Sequence, residues 1–106
     1  MRFLDLEIAI EVAVETVKRP THRGVRAEVA DRRKIGRTIV TDAIKRIEAE
    51  IGVSLFESDK VTLTRNGHAL AYHGPRFTEA KGILFEWIVE GRNPSRSENP
   101  NENGLD

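Results

Sequence analysis

Between residues 18 and 46 the chain carries ten Lys and Arg against only Glu28, Asp31 and Asp42, a local charge of +7. The flanks are acidic. Residues 1–17 sum to −3, residues 47–90 to −3 and residues 91–106 to −1, so the whole chain is neutral. Positive charge concentrated in a neutral chain is the footprint of a face that meets an anion, although two solvated helices would carry the same block. Other chemistry finds little support. There is no cysteine, which excludes disulfides and thiolate metal sites. Of the histidines His22, His68 and His73, the last two stand at i and i+5, off a common helix face, so neither a metal nor another cofactor is expected. His22 sits in the basic stretch, near a phosphate or simply solvated. No Ser, Thr or carboxylate set has the spacing of a nucleophile and its base, and no glycine-rich phosphate loop is present, so no enzyme is expected.

The elements that must position these residues follow from apolar spacing. Residues 3–18 read as a helix with Glu7, Glu11, Glu15 and Lys18 on one narrow polar stripe and apolar residues round most of the rest. An ordinary surface helix has a narrower apolar stripe, so this one is expected to bury two sides, one in its own core and one against a second chain. The alternation in residues 8–14 also permits a strand; the Glu spacing and the length favour helix. Residues 19–24 form a loop by Pro20 and Gly24. Residues 25–33 read as a short helix with Val25, Val29 and Ala30 inward, residues 34–36 as a turn, and residues 37–51 as a third helix. Its core stripe is Val40, Ala43, Ile44, Ile47 and Ile51. Gly52 stops that helix in a left-handed conformation.

Residues 53–56 and 60–63 are short and alternating or β-branched, and are expected to pair as a small β-hairpin. Thr64 then caps a long helix, with a seam of Leu70, Phe77, Ala80, Leu84, Trp87 and Ile88 and a kink or break at Gly74-Pro75. The expected fold is therefore mainly α with a small β-hairpin: a winged helix-turn-helix plus a long C-terminal dimerisation helix. Residues 1–63 would form the winged helix-turn-helix DNA-binding domain, residues 64–90 the linker and dimerisation helix, and residues 91–106, almost without apolar side chains, a disordered tail. No apolar run of membrane-spanning length is present. Asp5 and Glu7 stand where a signal peptide needs apolar residues, and a cytoplasmic location is expected.

Two segments carry a family resemblance. The run Ile44-Lys-Arg-Ile-Glu-Ala-Glu-Ile-Gly-Val-Ser-Leu-Phe56-Glu57, followed by Val61-Thr-Leu-Thr-Arg-Asn-Gly67, resembles the N-terminal DNA-binding domain of LysR-type transcriptional regulators, over about residues 24–67. The corresponding domain of molybdate-responsive regulators is similar. The resemblance implies a bacterial, dimeric regulator of transcription that reads double-stranded DNA with the third helix. It places Arg37, Thr38 and Thr41 at the family's usual Gln, Pro and Ser positions, and Asp42 where a DNA-contacting Arg is common. Asp42 would have to accept from a cytosine amino group or pair with Arg37, Lys45 or Arg46. The segment after Phe56-Glu57 is shorter than the family's wing and lacks its Arg, leaving Lys60 to reach a phosphate. The chain ends where the family continues into an effector-binding domain, so no small-molecule effector is expected.

The expected DNA contacts are thus Arg37, Thr38, Thr41, Asp42 and Lys45 towards the groove, with Arg23, Arg26, Arg46 and Lys60 on the backbone. Arg32, Arg33 and Lys34 are further phosphate candidates or a solvated helix end. Phe77, Leu84, Trp87 and Ile88 are expected to form a homodimer interface. A second class stays open: a winged helix that binds another regulatory protein and does not itself read DNA. Asp42 and the short wing favour it; the +7 block favours the first.

Overall fold

The computed structural model describes residues 1–91 of the 106-residue chain. They form four helices: α1 (Phe3–Lys18), α2 (Val25–Arg33), α3 (Arg37–Ile51) and α4 (Arg65–Glu90). The disordered tail expected from residue 91 onward falls, apart from Gly91, outside the described residues. Two compact units divide the chain, residues 1–75 and residues 76–106, with the boundary inside α4. The helix runs on through Pro75, so the break expected there does not occur.

In the first unit, α1, α2 and α3 each pack on the other two. Their core is the apolar set that helical spacing selects: Ile8, Ala9, Val12 and Ala13 from α1, Val25, Val29 and Ala30 from α2, and Val40, Ala43, Ile44 and Ile47 from α3. The valines and isoleucines among them contribute about 1.5–3 kcal/mol each when fully buried. Ile51, at the end of the α3 stripe, is exposed. Leu55, Phe56 and Leu63 close the core from the connection between α3 and α4.

α1 does bury two sides, but the second is covered within the chain. Ile10 is buried against Gly74 of α4, where an added Cβ would stand 2.7 Å from Ile10 Cγ1. Leu70 and Ala71 pack on the core from the same stretch of α4. The large apolar side chains that α1 leaves exposed are Phe3, Leu4 and Val17.

The helix ends have local causes. Lys34 is left-handed (φ 59°), and its N–H donates to the carbonyls of Ala30 and Asp31, which closes α2. Ile35 then donates to Ala30 O at 3.0 Å, and after Gly36 the chain enters α3. Gly52 ends α3 at φ 79°, a conformation that glycine adopts without the Cβ penalty. Thr64 Oγ1 accepts the Gly67 N–H at 3.1 Å and so caps α4, as expected.

The β-hairpin expected over residues 53–63 is absent, and with it the wing. No strand occurs among the described residues; Phe56 and Leu63 form one isolated antiparallel bridge. The reason is competition for the backbone donors. Asp59 Oδ1 accepts the N–H groups of Val61 and Thr62, each at 2.9 Å. Glu48 Oε2 accepts those of Leu55 at 2.8 Å and Phe56 at 3.4 Å. Asp59 is a short side chain that captures nearby amides and so offers the backbone an alternative to a sheet ladder, and Glu48 takes two more from α3. The segment is a tight turn, with Lys60 left-handed at φ 62° and its N–H on Glu57 O at 2.9 Å. The described residues are all-α.

Candidate nucleic-acid interface

The buried stripe of α3 fixes what the helix shows to solvent. With Val40, Ala43, Ile44 and Ile47 inward, Arg37, Thr38, Asp42 and Lys45 are exposed and Thr41 is half-buried on the flank. These residues lie in the first turns after the three-residue turn from α2. Asp42 stands among the cations of this helix; the Arg46 pKa is raised first by its hydrogen bonds to Asp5 and least by the charge of Asp42.

The basic block is not uniformly available. Acids on α1 and α2 hold a large part of it. Glu11 accepts from Arg32 Nη1 at 2.5 Å and from Arg33 Nε at 2.6 Å. Glu15 lies 3.6 Å from both Lys18 Nζ and Arg19 Nη2. Glu28 takes both terminal nitrogens of Arg19 and approaches His22 Nε2 at 3.0 Å. These partners, Arg19 first and His22 second, lower the Glu28 pKa to about 2. Arg32 and Arg33 are therefore tied to α1, and His22 to Glu28.

Arg46, expected on the DNA backbone, has an internal partner as well. Its Nε and Nη2 donate to the two carboxylate oxygens of Asp5, each at 2.9 Å, which clamps α3 to the start of α1. Asp5 is 5% exposed, and the Arg46 hydrogen bonds hold its pKa below the usual carboxylate range against the opposing effect of burial. Sequence reasoning missed this pair. The available signal was a lone carboxylate between Leu4 and Leu6 on an otherwise apolar helix start.

Among the described residues, Arg23, Arg26, Lys34, Arg37, Lys45 and Lys60 make no ion pair. The structure brings four of the expected contact residues together: Arg26, Thr41, Lys45 and Lys60 line a cavity of about 100 Å³ between α2, α3 and the 54–60 turn. Arg26 stacks on Phe56, its guanidinium carbon 4.7 Å from the ring centroid, and its Nη1 reaches Thr41 Oγ1 at 3.4 Å. Arg23 is exposed; the Asp59 pKa is lowered chiefly by the N–H groups of Thr62 and Val61, and least by the charge of Arg23.

α4 carries the residues expected at a dimer interface. In the second unit Leu84 is 51% exposed, Trp87 39% and Ile88 63%; Phe77 is half-buried. Ile83, Phe85 and Val89 widen the exposed apolar surface, and Lys81 Nζ lies 5.4 Å from the Phe85 ring centroid. In the first unit Val14 and Val17 open onto an apolar groove of about 480 Å³ with Ala71, Tyr72 and Pro75. Among the described residues no cluster of His and carboxylates is fit to hold a metal ion, and no helix is long and apolar enough to cross a membrane.

No protein-family model, curated protein or solved structure matches the chain.

Proposed function

We propose that this chain is a cytoplasmic, dimeric, sequence-specific double-stranded DNA-binding regulator of transcription, a reading head without a wing. The supporting observation is selective. α1 and α2 draw Arg19, Arg32 and Arg33 into internal ion pairs, while Arg37 and Lys45 stay exposed beside Thr38 and Thr41 on one face of α3. A recognition helix needs short polar side chains near its N-terminus so that the backbone approaches the base edges. It also needs cations whose charge is not spent elsewhere, to fork onto guanine or neutralise phosphate. The exposed apolar side chains of residues 83–89 supply area for a two-fold pairing, which would present two such helices to one side of a duplex.

The test is a mobility shift or anisotropy titration on duplex DNA at several salt concentrations. Affinity that falls steeply as salt rises supports the reading, because each neutralised phosphate releases counterions. No binding at low salt refutes it. One observation favours a second reading, an interaction domain that modulates another regulator. Asp42 is exposed within the candidate face, where a carboxylate repels phosphate but can pair with a basic partner protein.

A further inference from the structure

Arg26 is held in an unusual state for an arginine. Its Nε is shut off from solvent and has no hydrogen-bond partner. The guanidinium carbon lies over the Phe56 ring, 4.7 Å from its centroid, and Nη1 makes only the long 3.4 Å contact with Thr41. Glu48 lies close enough to stabilise the charge, yet burial outweighs it and lowers the Arg26 pKa. The Glu48 Oε2 is already engaged by the amides of Leu55 and Phe56. A buried donor left unsatisfied is costly, and the half-buried Arg26 also lines a cavity.

We infer that the cavity framed by Arg26, Thr41, Ser54 and Lys60 is an oxyanion seat that takes one phosphate group. Three features fit. The cavity is small, about 100 Å³, with room for a single tetrahedral anion. The lining residues able to donate differ in kind: Arg26, placed over the Phe56 ring, the hydroxyl-bearing Thr41 and Ser54, and the cations Lys45 and Lys60. Planar arginine forks match phosphate geometry, and stacking reduces the entropy lost on binding. Lys60 lines the site from the 57–60 turn, where its backbone is left-handed. Glu48 and Glu57 also line the cavity and oppose an anion, which limits the seat to a single phosphate and favours a diester over a more highly charged group.

The phosphate can come from a duplex backbone or from solution. The first source rests on the DNA-binding reading; the second does not. Two titrations separate them. Inorganic phosphate is added at constant ionic strength, with chloride as the control, while the Arg26 Nε–H and the Thr41 and Ser54 amides are followed by NMR. In parallel, the salt slope of duplex binding is measured for wild type, Arg26→Gln and Lys60→Ala. A saturable phosphate response confined to the lining residues, lost in Arg26→Gln, is expected. So is a salt slope lower by about one in each variant, equally on all sequences. A phosphate response with unchanged slopes assigns the seat to free phosphate. Lowered slopes alone assign it to DNA. If phosphate gives no saturable response and the slopes stay at the wild-type value, the seat is refuted even if the protein binds DNA. If wild type binds no duplex, the DNA reading fails and the phosphate titration alone decides the seat. Lys60 is exposed, so Lys60→Ala keeps the slope test valid if Arg26→Gln does not fold.

Discussion

Gly67 and Gly82 both lie within α4, yet alanine should act in opposite directions at the two. In an open helix interior, Gly to Ala is worth about 1 kcal/mol of helix stability. At Gly82 an added Cβ meets nothing within 4 Å, so that gain is realised. At Gly67 the Cβ would overlap the Leu55 carbonyl oxygen, stand 3.1 Å from the Leu55 carbonyl carbon and lie 2.7 Å from Leu63 Cδ2. Leu63 can turn aside, but the carbonyl belongs to the backbone and accepts the Thr64 N–H at 2.9 Å. Relief therefore moves the turn that closes the core and loosens the bond that leads into the α4 cap. Overpacking costs typically about 1–3 kcal/mol, and more where backbone must shift. Against the propensity gain, a net loss of about 2 kcal/mol is expected, or about 8–16 °C in Tm for a domain of this size. Thermal unfolding by circular dichroism measures both variants: Gly67→Ala should melt well below wild type, while Gly82→Ala should gain helicity without a fall in Tm. A Gly67→Ala protein as stable as wild type would show that α4 does not approach Leu55 this closely.

Arg37→Ala should weaken binding to a selected cognate duplex by about 1–3 kcal/mol and relax sequence preference, whereas Lys45→Ala should weaken all sequences alike if it contacts phosphate; unchanged affinity in both would remove the α3 assignment. Asp42→Ala should tighten binding to every duplex if the carboxylate only repels, and should lose specificity without general gain if it reads a cytosine. Trp87→Glu should convert a dimer into a species near 12.0 kDa by light scattering; a wild-type mass near that value rules out the dimer. Glu28 has its pKa lowered from 4.5 to about 2, so its contribution to stability is present above pH 4.5 and is lost as pH falls towards 2. Glu28→Gln should therefore flatten the acid limb of a Tm-against-pH curve in that window, and an unchanged limb would show that the Arg19–Glu28–His22 cluster does not persist in solution.

The local sequence determined where the helices lie. Apolar spacing marks α1, α2 and α3 over the spans observed, and it selects Val29, Val40, Ile44 and Ile47 for the core. Gly52 and Thr64 mark a helix end and a helix start by chemistry that acts within a few residues: a left-handed conformation at one and a hydroxyl accepting the Gly67 amide at the other. The exposed face of α3 was legible for the same reason, since a buried stripe fixes its opposite. Tertiary structure decided what local patterns do not encode. β-branched residues on both sides of Asp59 suggested paired strands, but Glu48 and Asp59 capture the amides a ladder would use, and Glu48 is brought there only by the packing of α3. The +7 block gave the number of cations but not their fate. Asp5 binds Arg46 across 41 positions and Glu11 binds Arg33 across 22. Which charges are neutralised and which stay exposed depends on helices meeting in space, and the same encounter sets Arg26 against Phe56.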